Sequence, residues 1–66
     1  MNWLEKLIKE HGYKSIYAFE MKCGFAKNHL KKCIANDRPI DKYQLGNLKS
    51  IAKALDTTVY ELIKNN

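Results

Sequence analysis

Apolar residues in this chain recur at helical spacing almost from end to end. Leu4, Leu7, Ile8 and His11 face one side of a first helix, which Asn2 and Glu5 open as a capping-box-like pair and Gly12 closes. Ser15 caps a second helix in which Ile16, Phe19 and Cys23 recur at i, i+3 and i+7. Tyr17 and Met21 form another i, i+4 pair, expected to pack against the closing helices. Gly24 stands where a chain leaving a helix often needs positive φ, and Phe25 then returns to the core. A third helix is predicted over about 27–35, with Leu30, Cys33 and Ile34 inward and Lys27, Asn28, Lys31 and Lys32 outward.

Residues 36–41, NDRPID, read as a turn: Asn36 is expected in the left-handed conformation, and Pro39 forbids helix there. Asp41 with Gln44 has capping-box spacing, and Ile40 with Leu45 has that of a hydrophobic staple. The fourth helix should run to about Leu55 and bury Leu45, Leu48, Ile51, Ala52 and Leu55. Thr58 and Glu61 form a full capping box for a short fifth helix whose inward face is Val59, Leu62 and Ile63. The pattern predicts an all-α chain of five helices in a single domain, 1–66, with no strand signal, linker or repeat.

Sixty-six residues with 45% apolar content suit one small core. No apolar run approaches the roughly 20 residues that span a bilayer, and the amphipathic start resembles no signal peptide. The expectation is a cytoplasmic protein. Twelve Lys and Arg against seven Asp and Glu give +5, which suits a polyanionic partner. Location sharpens this, because three lysines and no acid lie between Phe25 and Ala35.

Two cysteines and two histidines raise the question of a metal. His29 lies one helical turn before Cys33, but no close cysteine pair of the structural-zinc kind accompanies them. Cys23 and Cys33 both fall on apolar helix positions, where a thiol serves as a small hydrophobe. No metal or other cofactor is expected. No nucleophile with a base, no paired carboxylates and no phosphate-cradling loop stand out, so an enzyme is not expected.

Two short helices around Gly24 make the helix-turn-helix pattern. With Ser15, Phe19, Cys23, Gly24, Phe25, Leu30 and Cys33, it resembles the lambda-repressor and Cro-like family of phage and bacterial regulators. LKSIAKALDTTVYELI, Leu48 to Ile63, is similar to the two closing helices of the same domains, so the resemblance covers nearly the whole chain. It implies a compact five-helix lambda-repressor-like domain that binds double-stranded DNA and regulates transcription.

Helix three would enter the major groove, and the resemblance assigns base reading to Lys27, Asn28 and Lys32, with Lys31 reaching a base edge or a phosphate. Lys14, Ser15, Arg38, Lys42 and Tyr43 flank the motif as candidates for phosphate contacts. Members often bind two-fold sites as homodimers; Tyr60 and Ile63 are the candidate dimer surface here.

Three positions depart from the family. Glu20 stands where alanine is usual at the helix contact, Ile16 where glutamine is common, and Ala26 where Ser or Thr caps the recognition helix. Glu20→Ala is expected to be neutral or mildly stabilising if Glu20 sits uncomfortably at the helix crossing, and to cost much stability if its carboxylate makes a needed hydrogen bond or ion pair. The same departures keep a second reading open, a mobile-element protein that uses this fold to bind a protein partner as an antirepressor, antitoxin or host-defence inhibitor.

Overall fold

The computed structural model describes residues 2–66 as α1 (Trp3–Glu10), α2 (Ile16–Cys23), α3 (His29–Ala35), α4 (Leu45–Ala54) and α5 (Val59–Lys64), with a 3₁₀ turn at Ile40–Lys42. No strand occurs among the described residues. Three helices start as their side chains dictate. Asn2 Oδ1 accepts from the N–H groups of Leu4 and Glu5 at 2.8 and 3.3 Å. Ser15 Oγ accepts from Ala18 N–H at 3.0 Å, and Thr58 Oγ1 from Glu61 N–H at 3.1 Å. The Glu61 carboxylate turns to Asn65 Nδ2, so the last box is half made.

The start of α4 differs from the expectation. Residues Ile40–Lys42 wind as 3₁₀, which places Asp41 in that turn and moves the helix start to Leu45 behind an uncapped Gln44. The apolar pair with staple spacing is then Tyr43 and Leu48, both buried in the core, while Leu45 at the first helical position is 59% exposed.

The ends of the first four helices follow one scheme, in which a left-handed residue lets two successive N–H groups turn back to the last carbonyls. After α1, Gly12 (φ 80°) donates to Lys9 O and Tyr13 to Ile8 O, at 3.0 and 3.2 Å. After α2, Gly24 (φ 82°) donates to Met21 O and Phe25 to Glu20 O, at 3.2 and 2.9 Å. After α3 the left-handed residue is Asp37 (φ 50°), not Asn36 (φ −87°), because helical geometry persists one residue further. Asp56 (φ 55°) does the same after α4.

One core joins all five helices. Leu4 and Ile8 of α1, Phe19 of α2, Leu30 and Cys33 of α3, Leu48, Ile51 and Ala52 of α4, and Leu62 of α5 pack with Tyr43 and Leu55. Tyr13 closes one edge, its ring 4.9 Å from that of Phe19 and its hydroxyl donating to Ala54 O at 2.8 Å. Trp3 closes another, edge-on to Tyr43 at 5.5 Å, with Nε1 donating to Arg38 O at 3.3 Å.

Three burial expectations need correction. Cys33 is buried but Cys23 only half-buried, at the end of its helix. Tyr17 and Met21 are 50% and 57% exposed, since they lie more than a quarter-turn round α2 from the centre of the stripe of Ile16, Phe19, Glu20 and Cys23. Ile63 is 52% exposed beside the buried Leu62.

Candidate nucleic-acid interface

The first turn of α3 has no cap of its own. Ala26 has no side-chain acceptor, and Asn28, in the N-cap place, adopts φ 71° and makes no capping bond. Its free amides are satisfied from another helix. Glu20 of α2, 1% exposed, accepts from Asn28 N–H through Oε1 at 3.1 Å. Its Oε2 accepts from Leu30 and Lys31 N–H at 2.7 and 3.1 Å. The carbonyl of the same residue takes the N–H of Phe25.

Glu20 thus holds both ends of the connection between α2 and α3. Of the two alternatives for position 20, this favours the needed hydrogen bond over an uncomfortable side chain, because Glu20→Ala leaves three N–H groups without acceptors. Two of the departures noted above are one feature: the carboxylate at position 20 does the work that a side chain at 26 would otherwise do.

The helix over 27–35 is correspondingly shorter. Lys27 and Asn28 precede α3, since the left-handed Asn28 interrupts helical geometry just where Glu20 draws in the backbone. Their side chains nevertheless remain with Lys31 and Lys32, and all four are exposed.

Two grooves meet at this point, each of about 330 Å³. One is lined by Ala26, Lys27, Asn28, His29, Lys32, Cys33 and Arg38. The other is lined by Ser15, Ile16, Tyr17, Glu20, Lys27, Asn28 and Lys31. Lys27 and Asn28 line both and form the ridge between them.

Of the expected flanking contacts, Arg38 and Ser15 therefore join the basic face, one on each side. Lys14 and Lys42 are exposed but line neither groove. Tyr43 is not available to a phosphate: the residue is 7% exposed and its buried hydroxyl has no hydrogen-bond partner. The frame shift at the 3₁₀ turn carried it inward.

Tyr17 was not among the expected site residues, yet Lys27 Nζ lies 5.8 Å from its ring centre. Its place, one residue inside the helix that Ser15 caps, was the only signal for it in the sequence. His29 stacks against Phe25 at 5.0 Å, and its Nε2 is 3.5 Å from Asn47 Nδ2.

Burial raises the Cys23 thiol to a pKa of about 11, with the Glu20 charge a second cause. No group of three or more His, Cys, Asp or Glu among the described residues is placed to hold a metal ion. No helix among them is long and apolar enough to cross a membrane. The arrangement is a cationic ridge with two shallow grooves, fitted to hold an extended anion by side-chain donors.

No family model, curated protein or solved structure matches this chain.

Proposed function

We propose that this chain is a cytoplasmic, sequence-specific double-stranded DNA-binding regulator of the lambda-repressor and Cro-like kind. In this reading α2 and α3 are its helix-turn-helix, and α3 lies in the major groove with its first turn nearest the bases. The observation that carries the reading is the convergence of Lys27, Asn28, Lys31 and Lys32 on one exposed ridge, with Arg38 and Ser15 on its two sides. Lysine donates to guanine O6 and N7, and asparagine pairs with adenine N6 and N7; Arg38 suits a phosphate.

The test is fluorescence anisotropy with selected and random duplexes across a salt series. Asn28→Gly is the informative variant, because glycine accepts the φ of 71° and removes only the side chain. It should relax preference at one base position, costing about 1–3 kcal/mol on the preferred sequence. Arg38→Ala should weaken binding to every sequence and flatten the salt slope by about one unit.

A second reading draws on Tyr17 and Met21, exposed at 50% and 57% on α2. With Lys27 over the Tyr17 ring they make a mixed apolar and basic surface suited to an acidic protein partner. Absence of any sequence preference at every salt, with binding unaffected by either substitution, would favour it.

A further inference from the structure

A serine or threonine cap at the start of α3 would satisfy about one free N–H. The Glu20 carboxylate satisfies three, those of Asn28, Leu30 and Lys31, from a side chain fixed in the core. His29 N–H bonds Ala26 O and Lys32 N–H bonds Asn28 O. Every amide from Asn28 to Lys32 is therefore taken internally. Over this stretch an incoming anion finds side-chain donors and no free backbone donor.

The carboxylate also sits beneath the ridge it organises, as it lines the same groove as Lys27 and Lys31. A negative charge enclosed in the protein is screened less by salt than a surface charge, so it subtracts from the attraction that the lysines exert on any polyanion. Two effects of opposite sign on binding come from one residue. The three hydrogen bonds hold Asn28 in its left-handed place and set the register of the α3 side chains, which favours discrimination between sequences. The charge weakens attachment to sequences in general.

We propose that Glu20 is a positioning residue that sets sequence discrimination in this protein: its buried carboxylate fixes the start of α3 and lowers indiscriminate binding to polyanions. The binding part rests on the DNA-reading proposal above; the positioning part does not.

Two measurements keep these apart. Amide hydrogen exchange on the wild-type protein should show Asn28, Leu30 and Lys31 protected, although the first turn of a helix has no internal acceptors for such groups. In Glu20→Gln, which keeps the shape but turns an N–H₂ towards backbone N–H groups, exchange at these three should quicken at least about tenfold relative to α4. Anisotropy on the same variant, corrected for its folded fraction, should show the preference for a selected over a random duplex falling about tenfold or more. Affinity for the random duplex should rise roughly two- to fivefold, as one negative charge has gone.

A role confined to stability would instead leave both corrected affinities as they are in the wild type, and that result overturns the proposal. So does free exchange of the three amides in the wild type, a measurement that needs no folded variant. Should the wild type prefer no sequence, the DNA reading falls while the exchange data still decide whether Glu20 positions α3.

Discussion

The Tyr43 hydroxyl is enclosed without a hydrogen-bond partner, an uncommon state for a buried polar atom. Burial raises its pKa to about 12, helped by the Cys33 thiol beside it and opposed by Arg38, whose guanidinium lies 5.9 Å from the ring centre. Because the pKa is raised over the ordinary value of 10, the folded state favours the neutral phenol. The contribution is whole below pH 10 and is lost as pH rises towards 12. Cys23, raised from 9 to about 11, adds a loss of the same sign starting lower. The wild type should thus weaken progressively through the alkaline range. Tyr43→Phe removes an unpaired hydroxyl, and should leave stability at neutral pH unchanged or raise it by up to about 1 kcal/mol. Denaturant titrations at neutral and alkaline pH should show that variant losing less stability above pH 10 than the wild type; an equal loss would refute the assignment.

Among the elements, the helix ends carry the clearest energetics. Gly24 and Asp56 stand at equivalent places after α2 and α4, with φ of 82° and 55°. A Cβ built on Gly24 meets nothing within 4 Å, so Gly24→Val costs at least the strain of the backbone conformation, about 1–3 kcal/mol for a β-branched side chain. Asp56→Gly runs the comparison in reverse and should stabilise by about 0.5 kcal/mol, the relief at positive φ being partly offset by the freer unfolded chain. Asp37 is less suitable, since its Oδ1 also accepts from Asn2 Nδ2 at 2.9 Å. Thermal melts of the two variants should move in opposite directions; a stabilised Gly24→Val would show that the left-handed turn is not required.

At the scale of the molecule, the single core leaves no helix able to unfold at leisure. Trp3 of α1 touches Tyr43 and donates to Arg38 O, so the indole reports on the segment after α3 as well as on its own helix. A chain of this size with one core should unfold in one step. Indole fluorescence and far-ultraviolet circular dichroism should therefore give coincident denaturation curves. A fluorescence change that precedes the loss of helix would mean that α1 and residues 36–43 detach first.

What the order of amino acids settled by itself was local. Asn2, Ser15 and Thr58 cap helices through atoms two or three residues away, and Gly12 and Gly24 end them through bonds spanning five residues or fewer. Such interactions repeat a few known spacings, so five helices and most of the core could be read directly, as could the exposed lysines around Asn28. The misreadings have another origin. Asp41 with Gln44 matched a capping spacing, but one turn of 3₁₀ after Pro39 moved the helix start, exposed Leu45 and buried Tyr43. The shape of the basic ridge depended on contacts that no local spacing announces. The carboxylate of Glu20 reaches amides 8–11 residues ahead because Gly24 folds α3 back across α2. A glutamate in an apolar stripe reads as a misfit until that crossing supplies its three donors; then it becomes the cap that Ala26 lacks.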